Sequence, residues 1–254
     1  MSSAKKAAAA EPSRSAESDV VTVRAKPAGR QLQTLPEQIA EHIFAAIAAG
    51  DYAPGDRIRE ETIAEQFEVS RGPVREALRI LEKDAVVRIL PNRGAHVTQL
   101  SIKEVSDIFE IRRNLFGALV RRFTADEAAH LAASIDADIR TLDTLALDPG
   151  AGSKYADTSF RLSRAFRNAC SNERMAEILE SLARQTLRYT QLGLATPARR
   201  KESARNWRAI QKALKAGEIE GAAEAVEKLT DDSRREAVRQ LDARQAVEAG
   251  ANAG

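Results

Sequence analysis

The chain has 254 residues with 39 basic and 37 acidic side chains, three His and one Cys, so its formal net charge is only +2. One Cys closes no intramolecular disulfide, and so few Cys and His leave little for a metal cluster, which excludes a disulfide-stapled secreted fold and a zinc-finger scaffold. No apolar run approaches the ~18–20 residues that span a bilayer and residues 1–30 lack the apolar core of a signal peptide, so a cytoplasmic protein with no membrane partner is expected.

Residues 1–33 are Ala, Ser, Pro and charge, net +3, without apolar periodicity. They bury too little surface to offset ordering entropy and are predicted to form a disordered tail, or alternatively a basic arm on nucleic acid. From Leu35 the spacing of Ile39, Ile43, Phe44 and Ile47 predicts a helix that stops at Gly50. Tyr52 to Asp56 reads as a turn. A second helix starts in the acidic pair Glu60 and Glu61, with Ile63, Ala64 and Phe67 inward. Ser70 caps a third helix that runs to about Asp84, with Pro73 in its first turn, where a missing N–H costs little. Val86 to Leu90 and Ala95 to Thr98 flank Pro91-Asn92-Arg93-Gly94 as a hairpin. Three helices and a hairpin over residues 34–99 make a winged helix-turn-helix.

Beyond Leu100 the chain reads as helix throughout. Ser101 with Glu104, and Thr124 with Glu127, are capping boxes, while Asp148-Pro-Gly150 and Thr196-Pro197 punctuate the remainder. Six helices are expected, over 101–123, 125–146, 153–169, 173–192, 197–215 and 218–247. Residues 100–248 thus form an all-α antiparallel bundle, and the fold class is mainly α.

Arg71, Arg75 and Arg79 recur at i, i+4 and i+8 on the third helix, which places them on one stripe beside the apolar face of Val74, Ala77, Leu78 and Leu81. A planar guanidinium bonds a phosphate or the O6/N7 edge of guanine bidentately. At Gly72 the absent side chain lets a phosphate approach the helix N-terminus, where N–H groups and the dipole favour anions. Residues 35–98 are net −3, yet residues 69–93 alone are net +3, so positive charge gathers on the third helix and hairpin. A solvated charged face is the competing interpretation of the stripe.

Pro54-Gly-Asp-Arg-Ile-Arg-Glu60, Ile63-Ala64, Val69-Ser-Arg-Gly-Pro-Val-Arg-Glu-Ala-Leu78 and Arg93-Gly-Ala-His-Val97 resemble the DNA-binding half of the GntR family of bacterial transcription regulators. The resemblance implies that Arg71 and Arg75 sit in the major groove, with Arg93 and Gly94 forming the wing tip over the backbone or minor groove; Ser70 and Gly72 at the helix start and Arg79 on the arginine stripe complete the DNA-binding candidates. Gly72 stands where the family usually has Thr, so one hydroxyl contact to phosphate is lost. The helical half is similar to the effector domain of the FadR subgroup, called FCD, through Ile108 to Leu119 with Arg112, Asp157-Thr-Ser-Phe160, Cys170-Ser-Asn172 and the Trp207 to Ala225 region.

Many members of that subgroup hold a divalent metal through an Asp, a His four residues later, and two further His. Here Asp157 matches, but Arg161, Trp207 and Leu229 occupy the three imidazole positions, so no metal and no other cofactor is expected. A guanidinium at Arg161 neutralises a ligand carboxylate directly, or else pairs with Asp157 at i, i+4. Arg112 lies on the apolar stripe of Val105, Phe109, Phe116, Leu119 and Phe123, where a charge needs a partner. Asp157, Arg161 and Arg112 therefore lead the effector-binding candidates. Asn172 is also an N-cap candidate, Trp207 also a core residue and Arg188 also a solvated one. Cys170 has no neighbouring His and reads as a small buried hydrophobe. The expected partners are double-stranded operator DNA, a small-molecule effector of organic-acid type and a second copy of the chain. The competing functions are a helical interaction adaptor and an enzyme acting on a small acid, the latter opposed by the lack of Ser/His/Asp or Cys/His spacings and of a phosphate-cradling Gly loop.

Overall fold

A computed structural model describes residues 33–251, with side chains as far as Val247. The tail expected over 1–33 lies outside the described residues apart from Gln33. Helix α1 (Leu35–Ala49) starts in a capping box: the Thr34 hydroxyl accepts from Glu37 N at 3.4 Å, and Glu37 Oε2 accepts from Thr34 N at 2.7 Å. It stops at Gly50, whose φ of +95° suits a residue without Cβ. Then follow β1 (Arg57–Ile58), α2 (Glu60–Gln66), α3 (Arg71–Lys83), β2 (Val87–Leu90) and β3 (Gly94–Val97). The three strands pair antiparallel in the order β1-β3-β2, with Val87 opposite Val97 and Leu90 opposite Gly94. The winged helix is present, and β1 adds a strand that has no signal in the sequence because two residues carry no periodicity. Ile39, Ile43, Val74, Leu78, Leu81, Ile58 and Val97 close one core beneath the three helices and the sheet.

The helical half contains eight helices among the described residues where six were expected. They are α4 (Ile102–Val120), α5 (Ala125–Ser134), α6 (Asp136–Leu145), α7 (Gly152–Ala169), α8 (Glu173–Gln185), α9 (Leu187–Gly193), α10 (Pro197–Lys215) and α11 (Ile219–Ala251). The expected helix over 125–146 breaks at Ile135, and the one over 173–192 breaks at Thr186. Each break coincides with a contact from another helix. At the first, the Gln211 amide of α10 donates to the Ala132 carbonyl at 3.0 Å and to Asp136 Oδ1 at 2.9 Å, giving these groups a partner outside their own helix. At the second, the Thr186 hydroxyl donates to the Leu182 carbonyl at 2.8 Å and accepts from Arg112 Nη1 at 2.6 Å. Between α4 and α11, Gly117 permits a close approach: a Cβ there would lie 1.9 Å from Glu227 Oε1 and 2.7 Å from its Cγ. Among the described residues no helix is long and apolar enough to cross a membrane.

Both modules fall within one compact unit beginning at Thr34. Their junction centres on Arg184 of α8, only 10% exposed, whose Nη1 lies 2.5 Å from Glu41 Oε1 on α1 and whose Nε lies 3.1 Å from Asp84 Oδ2 at the end of α3. Its guanidinium also covers the Phe44 ring at 4.0 Å. Leu187 of α9 is buried in the winged-helix core, and Phe44 packs 6.4 Å from Phe160 of α7. Replacing Arg184 with Gln is expected to destabilise the protein by about 1–3 kcal/mol, because it leaves the half-buried Asp84 carboxylate unpaired and removes the cation over Phe44, while the exposed Glu41 returns to water. Amide exchange in α1 should quicken before that in α10; unchanged α1 protection would remove Arg184 from the junction.

Candidate nucleic-acid interface

The local sequence puts α3 on the surface as a two-sided helix. Val74, Ala77, Leu78 and Leu81 are buried against the winged-helix core, which turns Arg71, Arg75 and Arg79 to solvent. Each arginine is held by a carboxylate: Arg71 by Glu61 at 2.9 Å, Arg75 by Glu60 at 2.8 Å and Arg79 by Glu76 at 2.9 Å. A hydrogen bond from its own backbone amide, and then the Arg71 guanidinium, hold the Glu61 carboxyl below its ordinary range, so it stays ionised. Exposed pairs of this kind are worth only about 0–1 kcal/mol, so a phosphate or guanine edge can take over each guanidinium at small cost.

The N-terminus of α3 is open. Ser70 has the extended geometry of an N-cap, but its hydroxyl makes no capping bond and the first turn contains no acidic residue. At Gly72 an added Cβ would meet only Ser70 Oγ, at 3.8 Å, so internal packing does not require glycine there. The bare helix end presents its amides outward, as an anion site needs.

The wing tip turns through Asn92 at φ +58° and Gly94 at φ +81°, and a Cβ on Gly94 would come within 3.4 Å of Arg57 Nε. Arg93 is exposed at this tip. Strand pairing also sets Arg57 and Arg88 opposite His96 on the two sides of β3, so the three share one face of the sheet. His96 joins the tip to the turn before β1, with Nδ1 3.0 Å from the Gly55 carbonyl and Nε2 3.3 Å from the Arg93 carbonyl. Sequence reasoning missed Arg57 and Arg88. The alternation through Val87, Arg88 and Ile89 signals an outward Arg88, whereas Arg57 becomes legible only once β1 is paired.

The effector candidates do not converge on one site. Arg112 is partly buried, with Nη1 on Thr186 and the guanidinium 4.9 Å from the Phe109 ring centre. Its Nε is sealed and unpartnered, and burial, followed by the charge of Arg167, pushes its pKa down to about 9. Arg167, 3% exposed and paired with Glu180, was not anticipated, although its spacing from Phe160 and Ser163 places all three on one face of α7. Arg161 instead pairs with Asp138 of α6 at 2.8 Å, close to the surface, rather than with Asp157. Asp157 is exposed at its surface, with partial burial raising its carboxyl above the ordinary range. Asn172 caps α8, its Oδ1 accepting from Met175 N at 3.1 Å. Trp207 is fully buried beside Phe166, its indole N–H donating to Ser159 Oγ at 3.1 Å, and Leu229 and Cys170 lie in the same core. Arg188 lines a separate cleft next to the winged helix. Among the described residues no group of three or more His, Cys, Asp and Glu is arranged to hold a metal ion.

Residues 35–97 match the family model for bacterial regulatory proteins of the gntR family, and residues 107–232 match that for the FCD domain. The uncharacterized HTH-type transcriptional regulator YdhC of Bacillus subtilis is 44% identical over 63 residues, which are 25% of this chain and 28% of that protein. BphR, an uncharacterized HTH-type transcriptional regulator of Paraburkholderia xenovorans, is 28% identical over 166 residues, covering 63% of this chain and 68% of BphR. The matches to three of the curated relatives span 28%, 48% and 43% of those proteins' lengths. Among solved structures, that of E. coli McbR/YncC shares the fold, with a TM-score of 0.71 and 21% identity over 83% of this chain and 100% of that one.

Freeing an α3 arginine from its carboxylate should strengthen contact with any duplex. Glu61→Gln is expected to raise affinity for random-sequence DNA by about two- to fivefold at low salt, an advantage that fades as salt screens the phosphates. Fluorescence-anisotropy titrations over a salt series measure this, and an unchanged affinity would place Arg71 away from the DNA.

Proposed function

Because the chain belongs to the gntR family of bacterial regulatory proteins and joins that family's helix-turn-helix to an FCD domain, we propose that it is a ligand-responsive transcription regulator binding a pseudo-palindromic operator as a homodimer. The family is one of regulators and not of enzymes. The observation that carries the DNA-binding half of the proposal is the exposed stripe of Arg71, Arg75 and Arg79 beside an uncapped α3 N-terminus and a wing with Arg93 at its tip. In this reading Arg71 and Arg75 contact base edges and phosphates in the major groove, while Gly72 and Ser70 let a phosphate sit on the helix end. Arg79 tracks the backbone, and the Arg93–Gly94 tip rests on the neighbouring strand. One such module reads few bases, and a two-fold arrangement of two copies over repeated half-sites multiplies the contacts.

The effector half rests on charge. Among the described residues, Glu180 is the carboxylate that acts on both Arg112 and Arg167, so these two guanidiniums have one acid between them. A small carboxylate bound there supplies the missing negative charge and the acceptor that Arg112 Nε lacks. Arg161, engaged with Asp138 of α6, and the exposed Asp157 lie apart from this pair and are not part of such a site. The ligand alters DNA binding only to the extent that it binds the DNA-competent and incompetent forms with different affinity.

Two experiments test this reading. With the protein's own upstream region as probe, Arg71→Ala is expected to cost about 1–3 kcal/mol, relax base preference and lower the salt slope by about one; an unchanged footprint and affinity would sink the groove assignment. A thermal-shift screen of small carboxylates on chelator-treated protein should find one that raises Tm by several degrees at saturation. Arg112→Met should abolish that response while leaving the unliganded protein as stable as before or more so, since it removes a charge whose burial is costly. A response that survives in Arg112→Met would move the effector elsewhere.

A further inference from the structure

A cavity of about 540 Å³ lies where the winged helix meets the helical domain. One wall is the end of α1 from Ile47 to Gly50 together with Pro54, and the floor is the linker from Gln99 to Ile102. The opposite wall is formed by α9 and by the stretch of α11 from Leu241 to Gln245. Its volume is that of an ordinary small-molecule site.

Two guanidiniums, Arg188 of α9 and Arg244 of α11, line this cleft, and neither has a carboxylate within ion-pair distance among the described residues. Arg188 Nη1 is sealed from solvent without a hydrogen-bond partner. Burial, and in smaller part the like charge of Arg244, lower the Arg188 pKa, while Tyr189 and the more distant Asp56 act in the opposite sense. Asp56 is itself engaged, its Oδ2 accepting from Ala53 N at 2.7 Å. The side chains of Gln99, Gln191 and Gln245 also line the cleft and add carboxamide donors with no competing partner among the described residues. The end of α1 presents carbonyls and the negative pole of its dipole, which directs an anion to the α9 and α11 side.

We propose that this cleft binds a small oxyanion carrying at least two negative charges, bridged between Arg188 and Arg244, and that its occupancy sets the orientation of the winged helix. The site is separate from the Arg112–Arg167 pair and goes beyond the effector reading above. Planar guanidiniums favour phosphate and carboxylate oxygens alike, so the shared chemistry is a multiply charged phosphate ester or polycarboxylate. The mechanical link is Tyr189, adjacent to Arg188, whose hydroxyl accepts from the Leu100 amide at 3.2 Å and so ties α9 to the linker that carries the wing. An anion drawing α9 and α11 together acts on that linker, and by linkage DNA binding acts back on anion affinity.

The test uses chelator-treated full-length protein titrated calorimetrically at constant ionic strength with pyrophosphate, as the phosphate probe, and with citrate, as the carboxylate probe. Saturable binding of at least one is expected, weakened about tenfold or more in Arg188→Gln and in Arg244→Gln and retained in Arg112→Met. Arg244 is exposed, so its replacement leaves the fold intact even if that of Arg188 does not. The saturating probe should also change affinity for the upstream DNA by about threefold or more in the wild type and not in Arg244→Gln. Binding of neither probe, binding undiminished in Arg244→Gln, or binding lost in Arg112→Met would overturn the site. Anion binding with unaltered DNA affinity would overturn its control of the winged helix. A protein that binds the probe but no DNA would keep the site and sink the regulator reading instead.

Discussion

The guanidinium of Arg184 is the contact on which the rest of the arrangement depends. It is a nearly buried cation from the helical domain, held by Glu41 and Asp84 and capped by the Phe44 ring of the winged helix. A charge taken this far out of water is tolerated only when its partners are fixed, so the pair of carboxylates and the ring constrain α1 and the end of α3 relative to α8. Leu187, three residues further on, inserts into the winged-helix core and makes the same connection with apolar surface.

The consequence is a concentration of roles in the segment 184–189. Thr186 breaks the helix there and receives Arg112, Arg188 lines the cleft beside the winged helix, and Tyr189 holds the linker through Leu100. A ligand that engages either arginine therefore acts within a few residues of the junction itself. No long relay of packed side chains is needed to carry a signal to α1, since the elements involved are already in contact. The break at Thr186 matters for the same reason: a continuous helix over 173–192 would rotate Arg188 and Tyr189 to different bearings around the axis.

On the exposed face of α3 proposed to meet DNA, each arginine of the stripe already holds an internal carboxylate partner. The near-neutral total charge conceals a basic helix and wing, and the basic helix is neutralised locally by Glu60, Glu61 and Glu76. Such pairing lowers attraction to arbitrary polyanions while leaving guanidiniums free to swap toward a well-placed phosphate or base edge. Discrimination by displacement is physically reasonable here because the internal pairs are exposed and weak.

Local chemistry determined much of this from the sequence alone. The capping boxes at Ser101 and Thr124, the stop at Gly50, the apolar face of α3 and its arginine stripe follow from neighbours within one helical turn, and the structure contains them. The family resemblance added the order of the two domains. Tertiary structure decided the rest, because it depends on groups distant in sequence. The two-residue β1 exists by pairing with β3, the break at Ile135 is matched by Gln211, and Arg161 finds Asp138 rather than its helical neighbour Asp157. Whether an arginine is a ligand contact, a latch or a solvated charge depends on which carboxylate reaches it. Helical spacing names the candidate, and only the packing of α1, α8, α9 and α11 sets Arg184 against two acids and leaves Arg188 facing a cleft with none.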